Sequence, residues 1–219
     1  SHDPPCIIEL QPQTHQSRSF FMQNLILASS SRYRKSLLER LQLSFKCVSP
    51  DLDERAQNNE SAEHQAVRLA EAKAQTVAAE FPGATVIGSD QVAELCFVDS
   101  ADKSPRVLGK PGNHQRAVAQ LSAQSGQTVK FYTAVTVLYQ GQCNSALDIT
   151  EVNFRDLSSA EIEGYLEADT PYDCAGSFKA ESLGISLFES VKSDDPSALI
   201  GLPLIKLSKL LRDLNNSAR

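Results

Sequence analysis

The chain has 219 residues, 41% hydrophobic and 22% charged, enough apolar material to bury a substantial core. Its formal charge of -6 and pI near 5.3 exclude a domain-wide positive field, so no general affinity for nucleic acid or an anionic membrane is expected. Any anionic ligand must be held by a local cluster. No apolar run reaches the roughly 18 residues that span a bilayer. The five cysteines are scattered without a CxxC pair, which argues against a disulfide framework or a zinc site and fits a reducing cytoplasm.

Residues 1–21 carry Pro4, Pro5 and Pro12 among polar residues, and the apolar piece CIIEL is too short for a signal-peptide core. They read as an N-terminal extension, with one catalytic domain expected over 22–219. LILA (25–28) is a short apolar run that breaks into SSSRYRK, after which Leu37, Leu38 and Leu41 recur at helical spacing: strand, serine turn, helix. An acidic loop with Asp51, Asp53 and Glu54 leads to a long alanine-rich helix from near Ser61, with Val67, Ala70, Ala74, Val77 and Ala78 expected on its buried face. Thr85–Ile87 reads as a buried strand interrupted at Gly88, Ser89 and Asp90. A loop from Cys96 to Val107 precedes LGKP, and Asn113 caps a helix through Ser122 that Gly126 stops. QTVKFYTAVTVLYQ and NSALDITEVNFRDL, on either side of Gly141, read as long antiparallel strands. Ser158 and Glu161 form a capping-box pattern before EIEGYLEA, a glycine-punctuated stretch mixes loop with strand, and a last helix starts near Pro203. The alternation predicts an α/β fold with a mixed, partly antiparallel twisted sheet flanked by helices, in two lobes around a cleft.

The serine turn suits an anion, because turn amides and the free N-H groups at a helix start point outward and the helix dipole adds positive potential. Ser29 offers a hydroxyl, and Arg32, Arg34 and Lys35 offer charge. A serine cap followed by a solvated basic face explains the same residues equally well. Asp90, at the end of an apolar strand, could bind a divalent metal or take a proton from water, or simply cap the strand. Gly88 beside it permits a sharp turn or a close ligand. Lys73, Lys110 and Lys179 could reach one polyphosphate, with Glu54 and Glu181 as further acidic candidates. GxxxxGK[ST], GxSxG, GxGxxG and HExxH are absent, and the histidines are far apart. That leaves carboxylates, lysines, arginines and a hard metal such as Mg2+ or Mn2+ as the chemistry.

LILASSSRYRKSLLERL, SPDLDE, RLAEAKA, IGSDQV, LGKP, CAGSFKAESLGISLFE and GLPL, in this order, resemble the Maf-family nucleoside triphosphate pyrophosphatases over about residues 22–214. The resemblance implies metal-dependent hydrolysis of a nucleoside triphosphate between the α and β phosphates. It makes Asp90 the catalytic base and, with Glu54, a metal ligand; Ser29, Arg34, Lys35, Lys73 and Lys110 become the substrate-binding set. Gln91 after the aspartate and the GSFKAE loop resemble the branch acting on 7-methyl-GTP, which implies Tyr33, Gln91 and Glu181 as specificity residues. A carboxylate at Glu181 accepts hydrogen bonds from the guanine ring N-H and amine, and Tyr33 can stack on a cationic methylated base. The family also implies a homodimer. Preference for dTTP and UTP, or nucleotide binding that regulates cell division without turnover, are the competing expectations.

Overall fold

The computed structural model describes residues 24–97 and 106–217. The N-terminal extension and most of the loop between Cys96 and Val107 lie outside the described residues. A single seven-stranded sheet runs through the described residues. Its strands are β1 (Leu25–Ala28), β2 (Phe45–Val48), β3 (Thr85–Cys96), β4 (Arg106–Leu108), β5 (Thr128–Tyr139), β6 (Gln142–Phe154) and β7 (Phe188–Lys192). The helices are α1 (Arg32–Glu39), α2 (Ala62–Glu80), α3 (His114–Gln124), α4 (Ser159–Asp169) and α5 (Leu204–Ser217). The order β2-β1-β3-β5-β6-β7, with β4 also on β3, is parallel from β2 to β3 and antiparallel beyond. The expected mixed α/β sheet is therefore present.

Local chemistry accounts for most element ends. Ser61, Asn113 and Ser158 cap α2, α3 and α4 by accepting from the backbone N-H three residues on, and Ser158 with Glu161 completes a capping box. Gln140 and Gly141, both at positive φ, make the tight turn that joins β5 and β6. Two short strands were absent from the sequence reading. β2 is half-exposed, and β4 has three residues, so neither leaves a clear period-two pattern.

The larger departure concerns β3. The strand does not stop at Gly88 but continues through Ser89, Asp90 and Gln91 to Cys96, held along its length by antiparallel β5. On its other side it pairs with β1 only as far as Gly88, and with β4 only from Ala93. Between those points, the edge of β3 at Ser89–Val92 is open. Side chains alternate across this gap. Gly88 and Asp90 face α2, whereas Ser89 and Gln91 face the segment before α5. Separate apolar clusters lie at the two ends of the gap. One is built by α3, α4 and Phe131; the others are built by α1 and α5 on one face and α2 on the opposite face.

Candidate active site

Gly88 determines how close α2 comes to the sheet. A Cβ built there would lie 2.1 Å from the Ala70 carbonyl oxygen and 2.9 Å from Ala74 N, so only glycine admits the helix backbone at this distance. The sequence reading gave Gly88 to a turn or a ligand, but the close partner is a helix. Small residues Ala66, Ala70 and Ala74 line the contact, all fully buried. The approach brings Lys73 over Asp90: Lys73 Nζ donates to Asp90 Oδ1 at 2.6 Å and lies 3.0 Å from Glu54 Oε1. Lys73 therefore bridges a buried carboxylate and a half-exposed one.

On the other side of the gap, Ser31 caps α1 and its own N-H donates to Ser29 Oγ at 3.1 Å, which sets the serine turn. Arg34, half-buried in the first turn of α1, donates from Nε to the Gly201 carbonyl at 2.8 Å. The Ser89 hydroxyl is also within hydrogen-bonding distance of that carbonyl, at 3.2 Å. Gln91 Nε2 donates to Ala198 O, Leu199 O and Thr133 Oγ1 at 3.0, 3.2 and 3.1 Å. Two backbone carbonyls on that side demand the amide N-H2, so the orientation of the Gln91 side chain follows from its surroundings.

These groups border a cavity of about 690 Å³. Ser29, Tyr33, Arg34, Glu54, Lys73, Asp90, Gln91, Lys110 and Glu181 all line it, although they come from six separate stretches of chain. Lys110 is placed by its loop: the Gly109 carbonyl accepts from Gln120 Nε2 and Gly112 N donates to the Tyr172 carbonyl, both at 3.0 Å. Lys35 is not brought in. It stands on the exposed face of α1, 3.9 Å from Glu39 in an i,i+4 pair, because its position in α1 turns it away from the cavity. Lys179 is spent on the Asp169 carbonyl at 2.5 Å. Sequence reasoning missed the Gly201 carbonyl, Thr133, Asp173 and Cys174. Their contacts link residues separated by 167, 42 and 140 positions, and no local pattern carries such a signal.

The family description of the Maf-like proteins matches residues 24–214. The chain belongs to the Maf family. A 7-methyl-GTP pyrophosphatase from Xanthomonas axonopodis pv. citri (strain 306) is 56% identical over 191 residues, covering 87% of this Maf chain and 96% of its own. Another, from Albidiferax ferrireducens, is 51% identical over 190 residues, covering 86% and 92%. Among solved structures, a nucleoside-triphosphatase / dITP/XTP pyrophosphatase from Mycobacterium abscessus overlaps 61% of this chain and 75% of its own at 18% identity and a TM-score of 0.39, a partial overlap only.

Charge in the Maf cavity is divided. Ser29, Arg34, Lys73 and Lys110 bring donors and cations to its lining, and Asp90, Glu54, Asp173 and Glu181 bring carboxylates. Burial raises the Asp90 carboxyl above its ordinary value, against the pull of Lys73 and Arg34. Burial likewise lowers the Arg34 guanidinium, with Asp90 and Glu54 opposing. Asp90 and Glu54, which share one ammonium, are hard oxygen donors of the type a Mg2+ or Mn2+ ion uses. Among the described residues no cluster of three metal-ligating side chains exists, and Mg2+ sites built from one or two carboxylates with water and substrate phosphate fit that donor set.

Proposed function

We propose that this Maf protein hydrolyses a nucleoside triphosphate, 7-methyl-GTP above others, between its α and β phosphates. The observation that carries this is the buried Lys73–Asp90 pair at the open edge of β3, facing Ser29, Arg34 and Lys110 across one cavity. The two homologues named for 7-methyl-GTP support the choice of base.

In this reading Ser29, Arg34 and Lys110 hold the phosphates, with Arg34 aimed by its bond to the Gly201 carbonyl. Lys73 favours the ionised form of Asp90 despite its burial. The Asp90 carboxylate takes a proton from water as the water oxygen bonds to the α phosphorus, the bond to the bridging oxygen breaks, and pyrophosphate leaves with the electron pair. Arg34, Lys73 and Lys110 face the charge that develops on the phosphates. Asp90 and Glu54 would hold a divalent cation, which when bound polarises a phosphoryl oxygen. Glu181 would accept from the guanine ring N-H and amine, with Tyr33 and Gln91 on the base side.

Pyrophosphate release from 7-methyl-GTP, GTP, dTTP, UTP and CTP with Mg2+ or Mn2+ tests the reading. Selective turnover of 7-methyl-GTP that disappears in Asp90→Asn is expected; absence of turnover with every nucleotide would sink it. Cysteine usage suggests a cytoplasmic location, and the family resemblance implies a homodimer. The four described cysteines are unpaired, which suits the first, and sedimentation tests the second. No described helix is long and apolar enough to cross a membrane.

A further inference from the structure

At the border of the cavity an aromatic ring and a carboxylate converge on one cation. The Arg32 guanidinium stands over the Tyr33 ring, its Cζ 4.8 Å from the ring centroid. Arg32 Nη2 donates to the Tyr33 hydroxyl at 2.8 Å and to Asp173 Oδ2 at 3.5 Å. The Tyr33 hydroxyl in turn reaches Asp173 Oδ2 at 3.4 Å. Arg32, Tyr33 and Asp173 all border the cavity.

The guanidinium is held loosely. The side chains of Arg32 and Asp173 are 71% and 53% exposed, so water screens the pair and the long arginine stem can swing out. Cys174, beside Asp173 and Tyr33, has its thiol pushed up to about 11, chiefly by burial. It stays neutral and adds no charge to the group.

We propose that Tyr33 and Asp173 form a cation clamp for the positively charged base of a 7-methylated purine nucleotide, and that Arg32 is its displaceable occupant in the free protein. The inference rests on the nucleotide reading above and adds two residues that the reading did not use. Methylation at N7 leaves the phosphates, the ring N-H and the exocyclic amine of guanine in place and adds a positive charge to the ring. Glu181 addresses the edge that both bases share, so it does not separate them. Asp173 and the Tyr33 face act on the added charge, which is the whole difference. Arg32 makes the same two contacts that the methylated base would make, and the base must therefore compete with it.

The test is equilibrium binding of 7-methyl-GTP and GTP by titration calorimetry, in an Asp90→Asn background where turnover does not interfere. The background should bind 7-methyl-GTP more tightly than GTP. Adding Asp173→Asn should shrink that ratio roughly fivefold, mostly by weakening 7-methyl-GTP, as loss of one partly exposed charge contact would do. Adding Arg32→Ala should widen the ratio by about twofold, since an exposed competitor is weak. A ratio unmoved by Asp173→Asn overturns the clamp, and equal weakening of both nucleotides by Arg32→Ala overturns the role of Arg32 as occupant by assigning it to the phosphates. Pyrophosphate release by the wild type is read separately: its absence removes the pyrophosphatase reading, while the binding ratios still decide the clamp.

Discussion

Lys73 Nζ lies 2.6 Å from Asp90 Oδ1, and the two side chains are only 7% and 8% exposed. A pair taken this far out of water loses hydration on both ions and regains it through mutual attraction and further hydrogen bonds, so its net contribution to stability is small. Removing one partner is costly, about 3–5 kcal/mol for a fully isolated buried charge. Here the half-exposed Glu54, 3.0 Å from the same ammonium, provides a second partner. In the proposed mechanism the pair serves the site more than the fold, because the ammonium favours the ionised form of a buried carboxylate.

The pH dependence of turnover follows from that balance. The Asp90 carboxyl is raised above the ordinary 3.8, burial being the largest cause, with Lys73 and Arg34 opposing. The proposed mechanism needs the carboxylate, so the acid limb of kcat/KM should lie above pH 3.8. Lys73→Gln should move that limb higher still while lowering kcat about 100-fold or more. Stability runs the other way. The folded chain holds the Asp90 proton more tightly than the unfolded chain, so its contribution is full below 3.8 and is lost as pH rises through the folded value. Urea unfolding across that window should show the slope in wild type and its loss in Asp90→Asn. An acid limb that stays in place in Lys73→Gln would detach Asp90 from it.

Gly88→Ala tests whether helix approach is what aligns the site. The added Cβ would meet backbone atoms of α2, at 2.1 Å from Ala70 O, and a helix backbone cannot swing aside as a side chain can. The helix must move outward, which as an overpacking change costs about 1–3 kcal/mol. Lys73 moves with it, and displacements near an ångström at a reacting group lower rates about 100-fold. Thermal melting and pyrophosphate release should fall together; normal kcat in a destabilised variant would show that Lys73 does not need this register.

Lys35→Ala should do little. Its ammonium sits 58% exposed beside Glu39, outside the cavity, and surface substitutions of this kind stay within about 0.5 kcal/mol. KM for the nucleotide should change less than about twofold, in contrast to Arg34→Ala one residue earlier. A large rise in KM for Lys35→Ala would show that α1 turns on binding substrate.

The contrast between Arg34 and Lys35 marks how far the sequence could be read. Apolar periodicity and capping residues located the five α-helices of the described residues and the β5–β6 hairpin, because those signals are local. The serine turn and Asp90 stood out for the same reason. The continuation of β3 through Gly88, Ser89 and Asp90 did not, since residues with low strand propensity are held there by β5 along the opposite edge. Which of two adjacent cations enters the cavity depends on helix phase and on Gly201, 167 residues away. Asp173 reached Tyr33 across 140 residues for a similar reason: tertiary packing joined them, and no spacing in the chain records it.

Asp195 supports the turn that Arg34 contacts. It is 1% exposed, and its Oδ2 accepts from Ile205 N at 2.7 Å and Lys206 N at 3.2 Å, satisfying N-H groups at the start of α5. Its Oδ1 accepts from the Ser197 N-H and hydroxyl at 3.2 and 2.6 Å, while Ser197 Oγ accepts from Leu204 N at 2.8 Å. This network fixes the turn that presents the Gly201 carbonyl to Arg34. Asp195→Ala leaves buried N-H groups without an acceptor and should cost about 2–4 kcal/mol in urea unfolding. Below the melting transition KM for the nucleotide should also rise, because Arg34 loses its fixed bond, and the double variant with Arg34→Ala should show no further rise. Additive effects of the two substitutions on KM would separate the α5 cap from the site and reduce Asp195 to a stability role.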